Sequence, residues 1–228
     1  MAVYEILHSM KNKNFDKKGS FALKLDISKA YDRVEWRFIK EMLLKMGFSI
    51  NWMEWIMRFI TPVTYSVVVN NRVGDKFTPS QSLRKEDPLS LYPFLVCGES
   101  LSALLRLAKS SGTIKGTRVV KGTSRVTHLL FTDDSLISGN VTAIGASNVL
   151  KVLQSYAKCS CQLVNFEKSR VFFCSNVAMG NRLDVERILG VHHVDNWEKY
   201  LGLPCMVGQK KKWAFVSLRD KIQSRISF

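Results

Sequence analysis

Apolar and polar positions along this chain follow two rhythms, and the places where the rhythm changes mark its elements. After an opening helical turn or two around Tyr4–Met10, Phe21, Leu23 and Leu25 alternate with Ala22, Lys24 and Asp26. That period-two pattern is a strand, and it delivers a carboxylate at its C-terminal end. Ser28 is placed to open a helix, and residues 36–46 carry apolar side chains at helical spacing until Gly47 stops them. A second short helix follows at 51–60, where Trp52, Trp55, Ile56 and Phe59 share one face and read as core rather than as a stacking platform. Residues 64–79 read as a hairpin with Asn70 and Asn71 near its turn.

Asp87 and Pro88 read as an N-cap and first-turn proline for a long apolar helix over 89–109. Pro93 would then lie inside that helix, where a missing amide and a crowded carbonyl cost about 3 kcal/mol and predict a kink. Farther on come a strand over 126–131, a second at 135–138, a helix from about Ala143 to Lys158, a short strand at 170–174 and a helix near Asn181–Leu189. His192 and His193 read as loop residues, 200–204 as a compact turn, and the basic stretch after Gly208 as an amphipathic helix.

Between the strands at 126–131 and 135–138 lie Asp133 and Asp134, in a turn over Thr132–Ser135. One Asp at a hairpin tip needs no special role, because its side chain bonds nearby backbone amides. Two adjacent carboxylates beside an apolar sheet disfavour each other's ionisation unless a cation or donors compensate. Magnesium, a hard ion held by carboxylates and substrate phosphates, is such a cation. Either a solvated turn or a metal site satisfies the pattern taken alone. Asp26 changes the balance: if its strand neighbours the hairpin, three carboxylates share one rim, enough for two ions bridging a triphosphate in an in-line displacement.

Charge agrees with that chemistry. The 34 Lys and Arg against 19 Asp and Glu give a net charge of +15 and a pI near 9.7, which favours a polyanionic partner, nucleic acid first. With 46% hydrophobic residues the chain can bury a substantial core and is not disordered. No run of about 18 apolar residues is present, so no membrane span is expected. The N-terminal segment lacks the basic start and apolar centre of a secretory signal, so an intracellular, nuclear or cytoplasmic setting is expected. Cys97, Cys159, Cys161, Cys174 and Cys205 form no CxxC pair and have no His at zinc spacing, which points to reduced thiols rather than structural zinc.

Five blocks, KLDISKAYDRVEW, SLRKEDPLS, FTDD, NFEKS and KYLGLP, occur in order from about Phe21 to Pro204. Together they resemble the reverse transcriptases of plant non-LTR (long interspersed type) retrotransposons. The resemblance implies an α+β fold: a polymerase palm, an antiparallel ferredoxin-like or RRM-like sheet backed by helices, with partial fingers and the start of a thumb. On this division 1–20 form an N-terminal helix and basic loop, 21–204 the palm with partial fingers, and 205–228 the start of the thumb. It implies an RNA template, a DNA primer and dNTP as partners, and Mg2+ (or Mn2+) as cofactor.

Carried over residue by residue, the resemblance makes Asp26, Asp133 and Asp134 the metal-binding catalytic carboxylates, with the Ile27 carbonyl as a further ligand. Tyr31 matches the aromatic that excludes a ribose 2′-hydroxyl; without the motif it reads equally as a core tyrosine. Lys168 matches the lysine suggested to protonate the departing pyrophosphate; on its own it reads as a solvated surface lysine. Tyr200, Leu201 and Gly202 match the turn that holds the primer end, and Arg84 lies in the segment approaching template and nucleotide.

The chain also departs from the pattern of the family it resembles. Lys85, Glu86, Leu91 and Pro93 replace a usual Gln, Gly, Pro and Leu, Thr132 replaces Ala, and Cys161 and Leu163 replace Gly and Lys. Glu86 adds bulk and negative charge where a glycine allows close backbone approach. A partial, drifting copy is therefore the expectation, with the endonuclease, the fingers segment that carries basic residues for the triphosphate, most of the thumb and the C-terminal region lacking. Two alternatives follow: a non-catalytic remnant that binds nucleic acid through its charge, and a different metal enzyme on a similar sheet, such as a cyclase or a phosphorelay receiver. The receiver is disfavoured because the Asp pair lies in a hairpin.

Overall fold

In the computed structural model, residues 2–12, 19–118, 122–131, 134–195, 199–200, 203–204 and 216–226 are described. The elements run α1 (Ala2–Asn12), β1 (Ser20–Leu25), β2 (Ile27–Ser28), α2 (Trp36–Lys45), α3 (Ile50–Ile60), β3 (Val68–Val69), β4 (Arg72–Val73), α4 (Leu91–Ser110), β5 (His128–Phe131) and β6 (Asp134–Asn140). Then follow α5 (Ala143–Ser160), β7 (Leu163–Val164), β8 (Arg170–Phe173), α6 (Met179–Leu189), β9 (His192–His193), β10 (Lys199–Tyr200), β11 (Leu203–Pro204) and a helix over Val216–Ile226. The sheet expected for a palm forms, with strand order β5-β6-β1-β8-β9.

β1 is the spine of that sheet, antiparallel to β6 on one side and to β8 on the other. Phe21, Leu23 and Leu25 are all buried, as the period-two pattern requires, and so is Ala22. Each of the three larger side chains contributes roughly 1.5–3 kcal/mol through removal of apolar surface from water. Phe21 lies over Gly139, its partner across the ladder; a Cβ at Gly139 would sit 2.7 Å from the ring. His192 and His193 do not sit in a loop as expected: they form β9, the one parallel addition, paired to Arg170 and Val171 of β8.

Two hydrophobic clusters share α4. Leu101, Leu105 and Ala108 join the sheet's core with residues of α1, α5 and α6, whereas Phe94 and Cys97 join a second cluster with Val34, Trp36, Ile39, Leu43, Met53, Ile60 and Leu83. By length and composition α4 could cross a bilayer. Its role here is that of a core helix bridging the two clusters. Burial pushes the Cys97 thiol up to about 12, which keeps it protonated and inert.

Three local expectations are corrected. Ser28 does not open a helix: it belongs to β2, residues 29–33 are turns with Lys29 at φ 49°, and α2 begins only at Trp36. Pro93 causes no interior break, because α4 starts at Leu91 with Ser90 as N-cap and its first i→i−4 bond runs from Phe94 N–H to the Ser90 carbonyl at 3.3 Å. Pro93 thus occupies the first turn, where its amide would have no intrahelical partner. Asp87 caps the preceding turn instead, its Oδ1 accepting from Leu89 N–H at 3.0 Å.

The third concerns α3. Trp52, Trp55 and Phe59 are 54%, 59% and 57% exposed rather than core, with only Ile56 of the expected face half-buried. The helix buries the neighbouring stripe Met53, Ile56, Met57 and Ile60. In a helix apolar nearly all round, two stripes fit the same spacing, and the larger side chains lie on the outer one. The hairpin beyond it forms as expected, Val68↔Val73 and Val69↔Arg72, with Asn70 and Asn71 both left-handed as a two-residue turn requires.

Candidate active site

Asp26 directly follows β1, Ile27 lies in β2, Asp134 opens β6 and Lys168 lies on the turn between β7 and β8. The β1·β6 ladder ends at Leu25↔Ser135, and continuing its register by one position would set Asp26 opposite Asp134. Val141 N–H donates to the Gly19 carbonyl, which fixes the alternation of rows and makes 26/134 a non-hydrogen-bonded position. Opposed residues in such rows have Cβ atoms roughly 4.5–5.5 Å apart. β5 and β6 pair as far as Phe131↔Asp134, which leaves two residues, 132 and 133, between them. Asp134 is therefore already in a strand rather than in the turn. Asp133 and Thr132 lie outside the described residues, as do Leu201 and Gly202 of the expected primer turn; the backbone of Tyr200 pairs with Leu203 in the β10–β11 hairpin.

On the other side of Asp26 the chain holds its peptide at both ends. Asp26 N–H donates to Ser169 Oγ at 3.1 Å, and Asn165 N–H donates to the Asp26 carbonyl at 2.8 Å. Because row 26/165 is hydrogen-bonded, the next, Ile27↔Val164, is not, and the Ile27 carbonyl is directed away from β7. Lys168 sits exposed on the same turn, its amide donating to Asn165 Oδ1 at 3.2 Å. Asn165 and Ser169 were not legible as site residues in the sequence; the only signal was their place in the block that carries Lys168.

Tyr31 stacks face to face on Phe94, ring centroids 4.5 Å apart and 8° from parallel, against the second cluster. Its turn is tied from beneath by a buried network: Tyr156 O–H donates to Gln162 Oε1 at 2.5 Å, and Gln162 Nε2 donates to the Ala30 carbonyl at 2.8 Å. Burial holds the Tyr156 hydroxyl protonated, far above its ordinary range. Arg84 is exposed on the loop before α4, beside Trp36, Phe59 and Asp87 in a shallow cleft. Lys85 meets Asp32 at 3.5 Å at the surface, a contact worth little in water.

Two departures in the sequence acquire a structural meaning. Glu86 adopts φ 65° and Cys161, at the C-cap of α5, adopts φ 57°. Both are left-handed, the conformation a glycine enters freely and an L side chain enters at roughly 1–2 kcal/mol.

The hairpin's base is anchored to α4. Ser102 Oγ and His128 Nε2 are 2.9 Å apart, and Arg106 Nη1 donates to Ser102 Oγ at 2.7 Å. Burial lowers the His128 pKa below its ordinary value, and the Arg106 charge adds to the effect. Among the described residues no three His, Cys, Asp or Glu side chains gather as a metal site. The Asp26 carboxylate and the Ile27 carbonyl are oxygen donors, the kind that hard divalent cations prefer.

Comparison with known proteins agrees with this fold. Residues 3–215 match the family described as reverse transcriptase (RNA-dependent DNA polymerase). An uncharacterized mitochondrial protein of Arabidopsis thaliana is 44% identical over 68 residues, 30% of this chain and 56% of that protein. Among solved structures, apo telomerase of Candida tropicalis, truncated from its C-terminal domain, superposes with a TM-score of 0.55 at 14% identity, covering 78% of this chain and 35% of that one. Candida albicans telomerase, in complex with a TWJ fragment of telomeric RNA, gives 0.51 at 15% identity over 75% of this chain and 29% of its own. The chain spans about a third of those telomerases and the likeness is one of fold. With the family match extending over nearly the whole sequence, and a palm-type α+β sheet that brings Asp26 to the hairpin of Asp134, the chain belongs to the reverse transcriptase family.

Proposed function

We propose that this chain is the RNA-directed DNA polymerase domain of a non-LTR retrotransposon, joining dNTP to a primer 3′-hydroxyl on an RNA template. The observation that supports this reading is the β1·β6 register, which ends at Leu25↔Ser135 and leads Asp26 toward Asp134. Asp26, Asp133 and Asp134, with the Ile27 carbonyl, would hold Mg2+, or Mn2+ in its place. Once bound, the ions supply Lewis acidity to the attacking hydroxyl and the leaving phosphate.

The remaining roles belong to the chain's own side chains. Tyr31, kept rigid by Phe94, excludes a ribose 2′-hydroxyl. Lys168 gives a proton to the departing pyrophosphate oxygen. Arg84 meets template and nucleotide, and Tyr200, Leu201 and Gly202 hold the primer end. On this reading 21–204 are palm with partial fingers, and 205–228 begin a thumb. The net charge of +15 grips phosphates, so binding weakens with salt through counterion release.

A second reading, a non-catalytic remnant that binds nucleic acid through charge, is favoured by Glu86, a strained acidic residue on the loop that carries Arg84. Primer extension on a poly-rA template with an oligo-dT primer separates the two. Extension by the parent that Asp133→Asn abolishes supports the polymerase. Extension that appears only after Glu86→Gly supports a disabled relic, and none in either protein, with salt-sensitive binding of the duplex retained, leaves the binding remnant.

A further inference from the structure

The β1·β8 ladder stops two residues short of Asp26. Cys174 N–H donates to the Ser20 carbonyl at 3.0 Å, so rows 20/174, 22/172 and 24/170 are hydrogen-bonded and 26/168 is next in turn. In an unbroken ladder the Asp26 amide would donate to the Lys168 carbonyl. Pairing instead ends at Lys24↔Arg170, and the amide donates to the hydroxyl of Ser169, a residue with 0% exposure. That hydroxyl in turn donates to the Asn165 carbonyl at 2.7 Å, and Asn165 N–H returns to the Asp26 carbonyl at 2.8 Å, closing a ring.

We propose that Ser169 is a positioning residue for the first carboxylate: its hydroxyl replaces a ladder carbonyl, so Asp26 keeps its register while Lys168 is released from the sheet on a turn beside it. Ordinary strand pairing would hold Asp26 equally well, but it would lock the Lys168 backbone into the sheet. A buried hydroxyl that both donates and accepts does both tasks, and alanine does neither. The proposal rests on the polymerase reading, in which Asp26 binds metal and Lys168 moves a proton.

The test is Mn2+ titration by electron paramagnetic resonance in the presence of dTTP, with amide hydrogen exchange on the metal-free chain. Ser169→Ala is expected to weaken Mn2+ about tenfold, as loss of an outer partner of a metal ligand does, and to speed exchange at the Asp26 amide. Ser169→Thr restores both, and in an Asp26→Asn background Ser169→Ala changes Mn2+ affinity no further. Parent-like Mn2+ binding by Ser169→Ala, or a loss that persists when Asp26 is already Asn, overturns the proposal and leaves the polymerase reading standing. Parent and Asp26→Asn chains that bind Mn2+ alike overturn the polymerase reading itself, and the proposal with it. If Ser169→Ala does not unfold cooperatively, Ser169→Cys, a weaker donor and acceptor, takes its place with the same outcomes.

Discussion

Asp26 and Asp134, 108 positions apart in the chain, are the next pair in register past Leu25↔Ser135, where the β1·β6 ladder ends. That pair follows from register, and register is held on one side by the buried β6 residues Leu136 and Ile137 and on the other by Val171 and Phe172. A slip of one residue would turn Phe21, Leu23 and Leu25 to the opposite face, so the core that stabilises the sheet also aligns the carboxylates.

Gly139→Ala is expected to disturb that register at its far end. Its Cβ would meet the Phe21 ring at 2.7 Å, and Phe21 is fully buried. Overpacking of this kind costs about 1–3 kcal/mol, read as a lower urea midpoint.

Glu86→Gly and Cys161→Gly should each stabilise the chain. Both positions are left-handed, and relief of the L-residue penalty exceeds the extra chain entropy of glycine by about 0.5–1 kcal/mol. Urea unfolding of the singles and the double should give additive gains. A loss on either substitution would contradict the assigned backbone conformation.

The α3 correction makes a contrast. Trp52→Gln and Trp55→Gln, on the exposed face, should change stability by no more than about 0.5 kcal/mol, as surface substitutions do. Ile39→Ala, fully buried in the second cluster, should cost about 2–5 kcal/mol.

His128 gives a pH signature. Its folded pKa lies below the unfolded value because burial, reinforced by Arg106 and by Lys109 against Glu99, disfavours the charged ring. The neutral ring therefore contributes stability that is present above pH ~6.5 and declines as pH falls below that unfolded value toward the folded one. Urea midpoints should drop between pH 7.5 and 5.5 more steeply in the parent than in His128→Gln.

How much of this was legible in the sequence depends on the range of the cause. Strand β1, the pairing of β5 with β6, α5 and the Asn70–Asn71 turn follow from local periodicity and turn chemistry, and the structure has them. The face that α3 buries was not legible, because helical spacing identifies apolar stripes without saying which one a neighbour covers. The harmlessness of Pro93 depends on where α4 begins, which Ser90 and the Asp87 turn decide. The Ser169 hydroxyl takes its place only when segments 143 residues apart come into register, so no local pattern announces it.

The most direct test of the account is a cross-strand disulfide between positions 26 and 134. Non-hydrogen-bonded rows bring Cβ atoms close to the roughly 3.5–4.5 Å that a disulfide needs. Asp26→Cys with Asp134→Cys, in a background with the native cysteines replaced by Ser or Ala, should cross-link under mild oxidation, with the linked peptides found by mass spectrometry. A chain that folds cooperatively yet leaves both thiols free would separate the two carboxylates and contradict the shared rim.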